Sequence, residues 1–101
     1  MDSLRLGPKQ KLILEFIIKV GGVASPWHIA KALGYENTVS VLDSLERLVA
    51  RGILKKVRKE GEEWKTSSLT LWEEYLWQKG CQEYPHAQTL FVLAEWVKYL
   101  E

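Results

Sequence analysis

The sequence predicts one mainly α (α+β) domain with a three-helix core, a two-stranded hairpin and additional C-terminal helices. The chain has 101 residues, of which 47% are hydrophobic, so it is long enough for one compact core and too short for two. Apolar residues recur at helical spacing over most of the chain, and one strand–turn–strand pattern follows the third helical segment. We therefore treat residues 1–101 as a single domain.

Three helices are predicted in the first half, and each begins or ends at a clear signal. Pro8 suits the first turn of a helix, and Gly21-Gly22 ends the apolar pattern that follows it. Ser25 can cap the second helix and Asn37 the third, whose apolar residues lie within about 120° of a helical wheel. The predicted helical ranges are 8–20, 26–33 and 38–51.

A hairpin is predicted over residues 53–66, with its turn at Glu60-Gly61. This turn sets a register that joins two opposite-charge pairs and one apolar pair, which are favourable neighbours on antiparallel strands. The predicted pairs are Lys59 with Glu62, Arg58 with Glu63, and Val57 with Trp64.

Two more helices are predicted after the hairpin. Thr70 and Glu73 have the spacing of a capping box, and Gly80 ends the helix that they begin. Pro85 begins the last helix, whose apolar residues span roughly 220° of the wheel, which is more than one core contact covers. The predicted helical ranges are 71–79 and 86–100.

Residues 25–54 have the sequence SPWHIAKALGYENTVSVLDSLERLVARGIL. This segment resembles the winged helix-turn-helix superfamily of DNA-binding domains. The resemblance extends over about residues 8–70 and leaves residues 71–101 as a C-terminal helical extension. It implies that the third helix enters the DNA major groove, that the start of the second helix meets the backbone, and that the 53–66 wing contacts phosphates.

The resemblance places candidate DNA contacts on the second helix, the third helix and the wing. Asn37 and Arg47 are candidates for base reading, because asparagine pairs with adenine and arginine with guanine through two hydrogen bonds each. Alternatively, Asn37 is only a helix cap and Arg47 contacts phosphate or solvent. Trp27 has helix packing as its alternative role, and Arg58 and Lys59 have pairing with the opposing glutamates. The candidate DNA-binding residues are Ser25, Trp27, His28, Lys31, Asn37, Thr38, Ser40, Ser44, Arg47, Lys55, Lys56, Arg58 and Lys59.

Charge divides the chain into two unlike parts. Residues 1–59 hold eleven Lys/Arg against five Asp/Glu, a net charge of +6, whereas residues 60–101 hold three against eight, a net charge of −5. The basic part suits a polyanion and the acidic part suits protein contacts. Asp43 and Glu46 depart from a strongly basic reading helix, so they lower the expected DNA affinity.

Eight of the eleven aromatic residues follow residue 63. They are too many to cover one side of two short helices, and the neighbouring glutamates argue against nucleic-acid stacking. We therefore expect a homodimer through the C-terminal helices, the alternative being a monomer whose last helix folds back over the first. The expected interface residues are Trp72, Leu76, Trp77, Phe91, Trp96, Tyr99 and Leu100.

The sequence thus supports two functions. The first is a small dimeric transcription regulator that binds double-stranded DNA, and the second is a protein–protein interaction module serving as an accessory subunit of a replication or transcription complex. An enzyme is not expected, because no nucleophile has a base at a recognisable spacing. No cofactor or small-molecule ligand is inferred from the sequence. No metal site or intrachain disulfide is expected, because the chain has a single cysteine, Cys81, and two distant histidines. With no apolar run near about 18 residues and no secretory signal, we expect a soluble cytoplasmic protein.

Overall fold

Four α-helices and four antiparallel strands form residues 5–99, the part of the chain that the computed structural model describes. Apolar side chains from all four helices and from three of the strands make one core. None of these helices combines the length and the apolar character that crossing a bilayer requires. The elements are α1 (Pro8–Lys19), β1 (Val23–Ala24), α2 (Pro26–Ala32), α3 (Val39–Ala50), β2 (Leu54–Glu60), β3 (Glu63–Trp64), α4 (Leu71–Glu83), β4 (Thr89–Leu93) and a 3₁₀ helix (Glu95–Tyr99).

The first three helices follow their predicted signals. Pro8 occupies the first turn of α1, and the Ser25 hydroxyl accepts a hydrogen bond from the His28 amide at 3.3 Å at the start of α2. Between these helices, Gly22 turns the chain at a φ of +104°, and a Cβ at this position would lie 3.0 Å from Leu76 Cδ1. Both the left-handed backbone and the close approach of α4 therefore favour glycine here.

The predicted helix over residues 86–100 is wrong, because residues 89–93 form a strand. The sheet order is β1-β4-β2-β3, so β4 is an inner strand that pairs antiparallel with both β1 and β2. It packs against α4 on one face and α2 on the other, and residues 90–93 are all buried. A short strand that is buried on both faces is a continuous apolar run, which periodicity alone does not distinguish from a helix.

Pro85 begins a turn instead of a helix. The Ala87 amide donates to the Tyr84 carbonyl at 3.0 Å, which places Pro85 at the second position of a four-residue turn. The fixed φ of proline suits this position as well as it suits the first turn of a helix. Proline at position 85 is therefore compatible with both the start of a helix and a turn.

The predicted three-helix core with a two-stranded wing and C-terminal helices is also wrong, because the fold is α+β with a four-stranded sheet. β2 pairs with β4 along five residues and with β3 along only two, Lys59 opposite Trp64 and Glu60 opposite Glu63. The hairpin register therefore differs from the predicted one. Gly61 takes a φ of +65° at the first turn position, where a type II′ turn uses glycine, so the turn comes one residue later than predicted.

Helix α4 begins at the predicted capping box and continues past its predicted end. The Thr70 hydroxyl accepts from the Glu73 amide at 3.2 Å, and Glu73 Oε1 accepts from the Thr70 amide at 3.0 Å. Gly80 lies inside the helix and is buried, and a Cβ there would lie 2.6 Å from Val23 Cγ2 on β1. The glycine thus allows the helix to approach the sheet closely and does not end the helix.

A buried carboxylate joins α4 to the sheet and to the 3₁₀ helix. Glu73 is only 2% exposed, and its oxygens also accept from Lys55 Nζ at 3.0 Å and from the Glu95 amide at 2.7 Å. Burial raises the pKa of the Glu73 carboxyl, but the hydrogen bonds from Thr70, Glu95 and Lys55 outweigh burial and hold the pKa below its ordinary value. The side chain is therefore ionised at neutral pH.

Candidate functional site

The start of α2 carries three of the predicted DNA-contacting residues. Ser25 is 5% exposed, and its Oγ lies 2.8 Å from His28 Nδ1, so this hydroxyl is engaged within the protein. Trp27 is 55% exposed, and Lys31 Nζ lies 4.7 Å from the centroid of its ring. The exposed side of α2 therefore presents an aromatic ring with an ammonium group over it.

The outer side of α3 is exposed and mainly polar, as its amphipathic pattern predicts, with one exposed apolar residue, Val39. Asn37 Oδ1 accepts from the Ser40 amide at 3.3 Å, so Asn37 caps the first turn of α3. Arg47 Nε donates to Asp43 Oδ2 at 3.1 Å, one turn earlier on the helix. Asn37 and Arg47 are thus both at the surface, each with one local partner.

Two other predicted contacts of α3 are less accessible. Thr38 is half-buried at the cap position of the helix and makes no capping hydrogen bond with its side chain. Ser44 is 7% exposed and lies with the apolar residues that face the core. The surface that α3 offers to a partner therefore does not include Ser44.

The basic residues of β2 divide between the two faces of the sheet, because successive side chains of a strand alternate. Lys55 lies on the α4 face, where its ammonium group is held by Glu73. Lys56 lies on the α3 face, where it forms an ion pair with Glu46 of α3. Arg58, two residues further along, shares the face of Lys56 and is exposed.

The end of β2 differs from the predicted pairing of charges. Within residues 5–99, Arg58 forms no ion pair, and Lys59 Nζ lies 5.7 Å from the centroid of the Trp64 ring. The nearby ion pair joins Lys65 Nζ to Glu60 at 3.6 Å. The glutamates expected opposite Arg58 and Lys59 are displaced by the shifted register.

The contact between Lys56 and Glu46 places the outer side of α3 next to one face of β2. Together these two elements form a mainly polar surface on one side of the molecule, which also includes exposed Val39 and which we call the α3–β2 face. Its polar residues are Asn37, Ser40, Asp43, Glu46, Arg47, Lys56 and Arg58.

The predicted dimer residues divide between core and surface. Leu76 and Phe91 are 2% and 0% exposed, so both belong to the core. Trp77 is half-buried, with its ring centroid 6.0 Å from that of Trp64 in an edge-on contact. Leu100 lies outside the described residues.

Two exposed members of that set, Trp72 and Tyr99, belong to an aromatic patch. Trp72 and Tyr75 stack with their ring centroids 5.7 Å apart, and Lys98 Nζ lies 4.4 Å from the Trp72 ring. Sequence analysis missed Tyr75, although its spacing of three residues from Trp72 places both on one side of a helix. Lys98 Nζ also lies 5.2 Å from the Tyr99 ring, so the aromatic patch consists of Trp72, Tyr75 and Tyr99, with exposed Leu71 next to Trp72 in the chain. Trp96 is exposed too, but its Nε1 donates a hydrogen bond to the Gly52 carbonyl, so it is not counted in the patch.

A cavity of about 380 Å³ lies between the start of α2 and the loop that follows α4. Trp27 and His28 line one side, and Tyr84, Pro85 and His86 line the other. Sequence analysis did not predict this cavity, because its two sides come from segments that are distant in the chain.

Among residues 5–99, no three His, Cys, Asp or Glu side chains are grouped so that they could hold a metal ion. No family model, curated protein or solved structure matches this chain. The α3–β2 face, the aromatic patch and the cavity are therefore the features that bear on function.

Proposed function

We propose that this protein binds double-stranded DNA through the α3–β2 face and acts as a small transcription regulator. One observation carries the proposal: an exposed helix with a polar outer side stands beside a strand whose Lys56 and Arg58 lie on the same side. The twelve residues of α3 span about 18 Å, and the major groove is wide enough to admit an α-helix. The helix can therefore enter the groove while β2 follows the DNA backbone.

The exposed polar residues of α3, β2 and the neighbouring α2 have different roles in the proposed complex. Asn37 stands at the N-terminal end of α3, the end that reads bases in helix-turn-helix proteins, and its amide group can still donate because only Oδ1 is used in capping. Arg47 has further N–H donors beyond the one that contacts Asp43. Arg58 and Lys31 supply phosphate contacts. Lys55 supplies none, because its ammonium group is held by buried Glu73.

Three cations that are not paired with a carboxylate of another element within residues 5–99 set the expected salt dependence: Arg47 and Arg58 of the α3–β2 face, and Lys31 of α2. Three neutralised phosphates give a slope of about −2.7 in a plot of log affinity against log salt, so affinity falls about 40-fold between roughly 50 and 200 mM salt. Asp43 and Glu46 lie on the same face and oppose the phosphates. We therefore expect moderate affinity rather than tight binding.

Fluorescence anisotropy with a mixed-sequence duplex at these two salt concentrations tests the proposal. Arg58→Ala should weaken binding at low salt and reduce the slope by about one. Lys11→Ala is the matched control, because it removes an exposed cation from α1 outside the α3–β2 face. The proposal fails if the wild-type protein shows no salt-dependent binding, or if Lys11→Ala and Arg58→Ala have the same effect.

The aromatic patch supports a second candidate function, protein–protein association, and we propose a homodimer as its form. Leu71 is 86% exposed and precedes Trp72 in the chain, at the edge of the exposed aromatic patch, and exposed apolar and aromatic residues together are typical of protein contact surfaces. A two-fold dimer would hold two copies of α3 at a fixed spacing, as binding to paired half-sites requires. Sedimentation velocity should give a dimer for the wild type and a monomer for Trp72→Ser, and a monomeric wild type contradicts the proposal.

A further inference from the structure

The cavity between α2 and the loop after α4 has the dimensions of a small-molecule site. Its volume of about 380 Å³ falls within the usual range of about 300–1,000 Å³ for such sites. Its lining residues come from α2, from the end of α4 and from the following turn, and none of them belongs to α3 or β2. The cavity is therefore separate from the α3–β2 face.

The rings that line the cavity are inclined to one another. The planes of Trp27 and His28 meet at 82° with their centroids 5.2 Å apart, and those of His28 and Tyr84 meet at 56° with centroids 4.4 Å apart. A flat ligand stacks best between parallel rings, whereas a compact ligand is surrounded well by inclined ones. The geometry favours a rounded group over a planar one.

The charges around the cavity favour a cation. Glu83 contributes a carboxylate to the lining, and no lysine or arginine lines the cavity among the described residues. Burial, together with the charge of Glu83, raises the pKa of the Tyr84 phenol, so this ring stays neutral beside a negative group. The ammonium group of Lys31 lies 4.7 Å from the centroid of the Trp27 ring and opposes a second cation there, but it lines a separate pocket and not this cavity.

We propose that this cavity binds a quaternary ammonium group, as found in choline or in a trimethylated lysine. The faces of Trp27 and Tyr84 attract the positive charge through cation–π contacts, and Glu83 adds a direct electrostatic attraction. The methyl groups occupy the apolar space beside Pro85. A quaternary ammonium group donates no hydrogen bonds, which matches a lining that is mainly apolar.

Calorimetric titration of the full chain with choline tests this proposal, with 3,3-dimethylbutanol as the neutral molecule of the same shape. Choline should bind at a single site at least about tenfold more tightly than the neutral analogue, because the analogue lacks the charge. Equal binding of the two molecules, or no saturable binding of choline, overturns the proposal without the need for any variant.

Two variants and a matched control locate the site. Glu83→Gln and Trp27→Leu should each weaken choline binding several-fold, whereas Glu62→Gln, at an exposed position outside the cavity, should not change it. Retention of wild-type affinity in both Glu83→Gln and Trp27→Leu overturns the assignment. DNA binding is measured on the same preparations, so failure of one proposal is distinguishable from failure of the other.

Discussion

Replacing Glu73 with glutamine tests how α4 is held against the sheet. The two side chains have nearly the same shape, but glutamine is uncharged, and one acceptor oxygen becomes a donor NH₂ group. In the wild type, three donors converge on the carboxylate: the Thr70 amide, the Glu95 amide and the Lys55 ammonium group. One oxygen cannot serve all of them, so at least one part-buried donor loses its acceptor in the variant.

The expected loss of stability follows from these contacts. A hydrogen bond to a charged group contributes about 1.5–3 kcal/mol, and an unsatisfied buried donor costs about 1–3 kcal/mol. The side chain of Lys55 is 34% exposed, so solvent screens its share of the ion pair. We expect Glu73→Gln to lower the free energy of unfolding by about 2–3 kcal/mol, which corresponds to roughly 10 °C in Tm for a domain of this size. Lys55→Met should destabilise less, because Glu73 keeps both amide donors.

The effect should also depend on pH. The folded-state pKa of Glu73 lies below its ordinary value of 4.5, so the unfolded chain takes up this proton first as pH falls. The stabilisation is therefore complete above the unfolded-state pKa and is lost as pH falls through the folded-state pKa. Urea unfolding followed by tryptophan fluorescence, from about pH 7 to about pH 3, should show the gap between wild type and Glu73→Gln narrowing at low pH. Equal stability at pH 7, or a constant gap at all pH values, would refute the reasoning.

Three further changes separate packing from binding. Gly80→Ala should lower the free energy of unfolding in urea by about 1–3 kcal/mol, because the added Cβ meets strand β1. This cost should exceed the gain from the better helix propensity of alanine, so a more stable variant contradicts the close packing of α4 on β1. Asp43→Asn should raise DNA affinity several-fold in anisotropy titrations, because it releases Arg47 and removes a negative charge, whereas the control Glu15→Gln should not. Asn37→Ser should keep thermal stability, because serine also caps helices. It should weaken binding about tenfold to duplexes that present adenine, because serine lacks the amide group that pairs with this base. Unchanged affinity would show that Asn37 acts only as a helix cap.

The lysines of β2 explain why net charge overstates the size of a DNA-binding surface. Both Lys55 and Lys56 contribute to the +6 of the first half of the chain, yet each contacts a carboxylate of another element. Glu73 belongs to the acidic second half, so part of the charge division disappears when the two halves fold together. Arg58 keeps its charge toward solvent because it lies further along the strand.

Signals that act within a few residues predicted much of the local structure. The cap at Ser25 and the capping box at Thr70 each join groups three residues apart, so neighbouring sequence is enough to identify them. The amphipathic pattern of α3 likewise identified its core side and its polar side. The candidate DNA-reading residues Asn37 and Arg47 lie at the surface for this reason.

Contacts between distant segments account for the errors. β4 pairs with β1 and β2, which come much earlier in the chain, and its burial on both faces removes the alternation that identifies a half-buried strand. The hairpin register depended on which turn position Gly61 occupies, and the two choices differ by a single residue. Local sequence predicts a helix end at Gly80, because Val23, the close neighbour that requires a glycine there, is distant in sequence.

The amino-acid sequence determined where helices begin and which side of α3 turns inward, because caps and amphipathic spacing act over one or two turns. Tertiary structure decided which cations remain at the surface, which aromatic rings enter the core, and where Tyr84 meets His28 to close a cavity. These outcomes depend on burial against partners that are remote in the chain. Local propensity carries no information about such partners.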